Sequence, residues 1–258
     1  METLKQDLPG ALLQKGRYVA RLAQSPADLR ATQALRYRCF VARGGAREAG
    51  AGVESDSFDA ACQHVMIADR DSGALACCFR ILPLANGTEI HTSYAAQFYD
   101  LSMLTAFGAP MIEVGRFCIS PKANDSDVLR VAWGTLGRIV DERGAKLLFG
   151  CSSFAGIDPA PARAGFALLR DRHLAPAIWR PGVKAPAFVD FSTCGPVSDR
   201  LAALRAMPSL LRSYLAMGGW VSDHAVIDPA MNTMHVFTGL EIDAVPPARA
   251  AALRALAD

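Results

Sequence analysis

Residues Met111 to Ser120 read MIEVGRFCIS. Apolar and β-branched residues mark the segment as a strand bound for the core of a sheet, yet Glu113 and Arg116 sit three apart inside it. On a regular strand, side chains three apart point to opposite faces, so these two charges could not line one site. Gly115 between them makes a β-bulge accessible. A bulge there would turn both side chains toward one cleft and leave a main-chain N–H free to meet a developing oxyanion. The segment therefore predicts a sheet whose central strand is broken at a reaction site.

Working outward, the chain alternates strands and helices. Upstream, HVMIAD and ALACCFRILP are strands joined by the turn-former DRDSG, a hairpin. Before them, Arg17–Ala23 alternates like a first strand and leads into a helix with Ser25 as N-cap, Pro26 in its first turn and Asp28 completing a capping-box pattern. Residues 43–57, with four glycines and no period, read as a long mobile loop. Downstream, DVLRVAWGTLGRIVDERG puts Val128, Ala132, Leu136, Ile139 and Val140 on one helical face and ends at Gly144. KLLFGCSSF is a short strand apolar enough to be buried on both faces. Then come a helix over Pro161–Leu174, another opened by Pro208, a late strand MHVFTGLEI and a terminal helix PPARAAALRALAD. With no internal repeat and no linker, the expectation is one α/β domain, with residues 1–16 as an N-terminal extension and 200–258 completing the fold.

With 51% of its 258 residues hydrophobic, the chain can bury one substantial core. A net charge of +2 gives no reason to expect nucleic acid. Seven cysteines without C-x-x-C or zinc-type Cys/His spacing fit reduced thiols in the cytoplasm and no metal site. The opening residues lack the apolar core of a signal peptide, and no run approaches the ~20 apolar residues of a spanning helix. The expected location is the cytoplasm, peripheral to the inner membrane at most.

Taken in order, the charged residues form a constellation: Arg36-x-x-x-Phe40, Asp56-x-x-Asp59, Arg80-Ile-Leu-Pro and Glu113-x-x-Arg116. Here the sequence resembles the acyl-carrier-protein-dependent branch of the GNAT acyltransferases, which includes acyl-homoserine-lactone synthases and ornithine N-acyltransferases. LRYRCF, DSFDAACQHVMIAD, FRILP, EVGRFCISP, LLFGCSSFAGIDP, RHLAP, PSLLRSYLAMGGWVSDHAVIDPAMNT and HVFTGLEI are similar to the ornithine enzymes from about Tyr18 to Ile242. The resemblance implies a GNAT-like α/β (α+β) fold. Its central sheet would be mixed, mostly antiparallel and twisted, with helices on both faces and a bulged, splayed central strand that holds an acyl-pantetheine. It also implies transfer of a (3-hydroxy)fatty acyl group to the α-amino group of L-ornithine, the first step of ornithine lipid synthesis.

The chemistry gives independent reasons for these residue types. An amine must lose a proton before it attacks a thioester, and a nearby carboxylate can accept it directly or through one water. Glu113 is the expected base, its pKa raised by burial and lowered by Arg116. A thiolate leaves readily near neutrality and no covalent intermediate is needed, so Cys118 and Cys151 read as buried fillers. Arg36, Phe40, Asp56, Asp59 and Arg80 would form the amino-acid side of the pocket, either binding substrate or holding a loop closed over it. His64 reads as structural, and Asp228, Asn232 and Thr233 as turn residues.

The loop SPKANDSDV lacks the glycines that cradle a coenzyme A pyrophosphate and carries Asp125 and Asp127 instead. That favours acyl-phosphopantetheine on an acyl carrier protein as donor, with no bound cofactor. Lys122, Arg130 and Arg138 are the expected docking residues for that acidic partner. PSLLRSYLAMGGW could lie on a membrane or pack in the core. Three other functions stay open: the same transfer to glutamine or another amino acid, lactone synthesis, and a non-catalytic protein that binds an acyl carrier or a membrane.

Overall fold

The computed structural model describes residues 10–42, 52–123 and 126–257. Nine strands lie side by side in one sheet: β1 (Ala11–Lys15), β2 (Tyr18–Leu22), β3 (Gln63–Asp69), β4 (Leu75–Leu84), then β6 (Met111–Ile119), β7 (Leu147–Ala155), β12 (Thr233–Glu241), β11 (His224–Asp228) and β9 (Phe188–Asp190). The short β10 (Trp220–Val221) also pairs with β12, while β5 (Tyr99–Asp100) and β8 (Gly182–Val183) form a separate ribbon. Every pairing is antiparallel except β6 with β7, so the sheet is mixed and mostly antiparallel, as the sequence implied. That parallel pair needs a crossover, which α2 (Ser126–Arg143) supplies.

Helices cover both faces. Val128, Ala132, Leu136, Ile139 and Val140 of α2 are at most 4% exposed, the stripe their spacing predicted. They pack on Phe79, Ile81, Ile112 and Leu148. On the same face of β7 and β12, Phe154, Met234 and Val236 meet α3 (Arg163–Arg172), Ala203 of α4 (Arg200–Arg205) and Leu211 of α5 (Ser209–Ala216). α6 (Pro247–Ala257) lies against α2. The opposite face receives α1 (Pro26–Arg36), whose Leu35 packs on Cys78 and Cys118, and the run of 3-10 turns between Gly87 and Ala106. Ser25 caps α1 as expected by accepting the Asp28 N–H; Asp28 itself takes the Gln24 N–H and pairs with Arg21.

Three features differ from the sequence reading. Ala11–Lys15, expected as part of an extension, is the edge strand β1: Gly16 at φ 57 closes a hairpin onto β2, and Leu13 alone of its side chains is fully buried. α1 does not simply stop but adds one π-helical turn, Tyr37–Val41, which carries Phe40. Residues 43–51 of the expected loop, and Asp125, lie outside the described residues.

The third difference is the bulge. The β4–β6 ladder runs regularly through Val114 and Gly115, which face Ile81 and Arg80, but Cys118 then faces Cys78. Three steps on β6 therefore oppose two on β4, and the extra residue falls after Gly115. Arg116 is the residue with φ 52, a left-handed conformation that costs a non-glycine ~1–2 kcal/mol. Its guanidinium holds it there through two carboxylates and an aromatic ring. Strain of this kind persists only where the surroundings over-determine it.

Candidate active site

The β6–β7 ladder has only three pairs and ends at Glu113 opposite Phe149. Beyond it the strands part, and a cleft of ≈ 360 Å³ passes through the gap. Gly150 sits where they separate. A Cβ there would lie 2.3 Å from the Val114 carbonyl oxygen, a main-chain contact that no rotamer relieves. Gly150→Ala is therefore expected to force the strands apart, lowering stability by about 1–3 kcal/mol and acyl transfer with it. Unchanged urea denaturation and turnover would refute this reading of the gap.

Strand register divides the cleft into two sides, because directly paired residues share a face. Leu82, Glu113 and Phe149 are in line across β4, β6 and β7. Cys151, Ser153, His235 and Asp228 fall on the same face through the β7–β12 and β11–β12 registers. This side is polar. On the other, Val114, Phe117 and Phe154 line it with Leu210, Leu211 and Tyr214 of α5. That side is apolar. An extended thioester threaded through the gap could keep its acyl chain on one face and expose its carbonyl to an amine on the other.

Glu113 stands on the polar side, 5% exposed, and lines the cleft. Its two oxygens accept the N–H groups of Tyr94 and Ala95, each at 2.8 Å. Burial raises its pKa, the two amides and the Arg80 and Arg116 charges pull it back, and it settles at about 7. A carboxyl group poised near neutrality can be ionised and is basic enough to take a proton. The same hydrogen bonds make it an anchor for the 94–97 turn, a role the sequence did not disclose.

The bulge brings Arg116 to this side as well. Its guanidinium carbon lies 4.7 Å from the centre of the Tyr94 ring, on the turn that Glu113 anchors. Sequence reasoning thus foresaw the consequence and misplaced the residue that produces it.

Arg36, Asp56, Asp59 and Arg80 do come together, in a closed network with Arg116 and a residue the sequence reading missed, Glu54. Arg36 pairs with Glu54 and, at 2.6 Å, with Asp59. Arg80 reaches Asp56 at 2.5 Å and Asp59 at 2.6 Å, while Arg116 reaches Glu54 at 3.0 Å and Asp56 at 2.8 Å. Three cations meet three anions. Burial opposes ionisation of Asp56 and Asp59, but hydrogen bonds from Arg80 and Arg36 and the neighbouring guanidinium charges outweigh it and hold both carboxyls below the usual range. Arg36 and Asp59 are sealed among partners within the chain, although Arg36 Nη2 has no hydrogen-bond partner among the described residues; only Arg80, Arg116 and Phe40 of the named set line the cleft. Of the two roles left open, the contacts of Arg36, Asp56 and Asp59 are those of a clamp on the 53–60 segment. Glu54 carried no signal, since it sits two residues before the D-x-x-D pair with no spacing that points to an arginine.

His235, also missed, lines the cleft at 2% exposure. Tyr99 Oη donates its one proton to the His235 carbonyl at 2.7 Å and lies 3.0 Å from the ring Nδ1. The ring must therefore donate from Nδ1, which leaves Nε2 a bare acceptor. That nitrogen is buried with no partner among the described residues. Burial, with Arg116 and His224, lowers the His235 pKa to about 4 and keeps the ring neutral. Asp228, Asn232 and Thr233 line the cleft as well as forming their turn. His64 Nε2 donates to the Asp59 carbonyl at 3.0 Å, a structural contact. Cys118 lies against Cys78 and Cys39, and the Cys151 thiol is pushed well up chiefly by burial, so neither favours a thiolate.

The remaining expectations lie outside the cleft. Lys122 is exposed in the turn after β6, and Arg130 and Arg138 are exposed on α2, paired along the helix with Asp127 and Glu142. Of the two uses the sequence allowed PSLLRSYLAMGGW, the structure shows core packing: Leu211, Tyr214 and Met217 are buried and Leu210 lines the cleft, because the apolar stripe of α5 closes the core. Among the described residues no helix is long and apolar enough to cross a membrane.

A mixed sheet with one short parallel pair that opens onto a cleft is the architecture of a GNAT acyltransferase, and residues 35–134 match the acetyltransferase (GNAT) domain family. The solved N-acyl amino acid synthase FeeM from uncultured soil microbes shares the fold at a TM-score of 0.51 and 11% identity, over 89% of this chain and 93% of that one. Similarity in sequence is more particular. The L-ornithine N(alpha)-acyltransferase of Rhodobacter capsulatus is 33% identical over 241 residues, 88% of this chain and 91% of the relative. That of Brucella abortus is 28% identical over 243 residues, 89% and 86% of the two chains. The chain belongs to the L-ornithine N(alpha)-acyltransferase family.

Proposed function

We propose that this enzyme moves a 3-hydroxy fatty acyl group from the phosphopantetheine arm of an acyl carrier protein to the α-amino group of L-ornithine, yielding lyso-ornithine lipid. The observation that carries the reading is the two-sided cleft at the β6–β7 gap, with an apolar wall for the chain and Glu113 on the polar face. In the step itself, Glu113 takes a proton from the ornithine α-ammonium, and the freed amine attacks the thioester carbonyl. Main-chain N–H groups of β6 beyond its last β7 partner would steady the oxyanion. That attack forms the C–N bond; collapse of the tetrahedral intermediate breaks the C–S bond, the second proton on the nitrogen neutralises the departing pantetheine thiolate, and the proton held by Glu113 passes to solvent.

An acyl carrier protein is favoured over coenzyme A because the turn after β6, Ser120-Pro-Lys-Ala, offers no glycine-lined cradle for a pyrophosphate. Lys122, Arg130 and Arg138 project from that turn and α2, about 12 Å separating the two helical positions along the axis, and would meet the carrier's acidic surface. Incubation with 3-hydroxyacyl carrier protein and a panel of free amino acids, read by mass, is expected to give acyl-ornithine as the main product. Reversing the three charges is expected to raise KM for acyl carrier protein and not for a small acyl-pantetheine thioester. A lactone product, or full turnover with acyl coenzyme A alone, would overturn the assignment.

A further inference from the structure

The cleft holds two carboxylates, Glu113 and Asp228, that have no ion-pair partner among the described residues, although the arginines nearby are all paired. Asp228 is 7% exposed. Its Oδ1 accepts the N–H groups of Ala230 and Met231 at 3.0 and 3.1 Å, which leaves Oδ2 for something else. A buried carboxylate without a cation is costly, and the cost falls when a ligand supplies one.

His235 gives the second, independent sign. In the β11–β12 ladder Val226 faces His235 and Asp228 faces Thr233, so Asp228 and His235 are diagonal neighbours on one face, a spacing of about 7–8 Å between backbones. The bare Nε2 of His235 is a buried acceptor on the face that carries Glu113. Cys151 lines the same cleft, and its thiol, raised chiefly by burial, is raised further by both Glu113 and Asp228. A carboxylate without an ion-pair partner and a ring nitrogen without a donor together match a primary ammonium, which has three N–H donors and one positive charge.

We infer that Asp228 and His235 form the subsite for the side-chain ammonium of the acceptor amino acid, so that the enzyme selects a diamino acid over neutral ones of the same length. This rests on the acyl-transfer reading and deepens it: Glu113 would serve the α-amine, and Asp228 with His235 the distal one. The inference also accounts for the neutral state of His235, since an imidazolium beside an ammonium would repel it.

Asp228→Asn tests it cleanly, because an asparagine oxygen can still accept the Ala230 and Met231 N–H groups while the charge is gone. The comparison uses ornithine and norvaline, which has ornithine's carbon chain without the second amine. Wild type is expected to favour ornithine in kcat/KM by about 30-fold or more, and Asp228→Asn to reduce that ratio at least about 10-fold, mainly through KM. His235→Phe is expected to reduce it less, as one neutral acceptor is lost. Calorimetry with ornithine and the full chain, without donor, should show the same order of weakening. If wild type acylates both amino acids equally, or if Asp228→Asn lowers both by the same factor, the subsite is wrong and the acyl-transfer reading stands. If ornithine binds and weakens in Asp228→Asn yet no amino acid is acylated, the function fails and the subsite survives.

Discussion

Glu113→Gln is expected to lower kcat/KM for acyl transfer by about 10²–10⁴-fold, the usual contribution of a positioned general base. Glutamine keeps the size of the side chain and can still accept one of the two N–H groups from Tyr94 and Ala95. It cannot take the amine proton. The wild-type rate should rise with pH through a limb near 7, set by the raised pKa of Glu113, and the variant should lack that limb. A stability signature accompanies it. Below the ordinary value of 4.5 Glu113 is protonated in both folded and unfolded chains; between 4.5 and about 7 only the folded state keeps the proton, so stability falls as pH rises. Above pH 7 the full penalty, about 3 kcal/mol, is in place. Urea denaturation at pH 5 and pH 8 should therefore show a drop that is smaller in Glu113→Gln. A variant with wild-type turnover and an unaltered pH profile would remove Glu113 from the mechanism and leave it only as the anchor of the 94–97 turn.

Arg36→Met should produce the largest loss of stability. The guanidinium is 1% exposed and pairs with Glu54 and Asp59, so its removal leaves two buried carboxylates with one cation fewer each and unbalances the network by one charge. Breaking one partner out of such a network costs about 3–5 kcal/mol, a large part of a typical 5–15 kcal/mol. Because Asp59 also contacts Arg80 and Glu54 contacts Arg116, the damage should reach the cleft as faster amide exchange over residues 53–60 and at the bulge. Activity should fall with it, in kcat as well as KM, since Arg116 lines the cleft. If Arg36→Met kept full stability but lost ornithine binding, the network would be a substrate site and not a clamp.

Much of this was legible in the chain itself. The stripe on α2, the hairpin of β3 and β4 and the capped start of α1 follow from periodicity and turn chemistry, which are local. The charged constellation was legible too, because arginines and aspartates at strand and helix ends stand out against an apolar background. Glu54 was not, because its partners Arg36 and Arg116 are 18 and 62 residues away, and only the folded chain brings them within reach. His235 escaped for a similar reason: in sequence it is one polar residue in an apolar strand, and its free acceptor exists only because Tyr99, 136 residues earlier, occupies the other side of the ring.

The sequence by itself marked the principal strands and helices, the oppositely charged pair on one central strand and the need for a break at that pair if both charges are to line one cleft, since side chains three apart on a regular strand face opposite ways. Tertiary structure alone decided that the break falls at Arg116 and not at Gly115. A glycine only permits an unusual backbone, whereas Arg116 is held in one by Glu54, Asp56 and the Tyr94 ring, all supplied from distant segments. It also decided which acids are spent on structure and which face the cleft, because a carboxylate's partner is fixed by where the sheet sets it and not by its place along the chain.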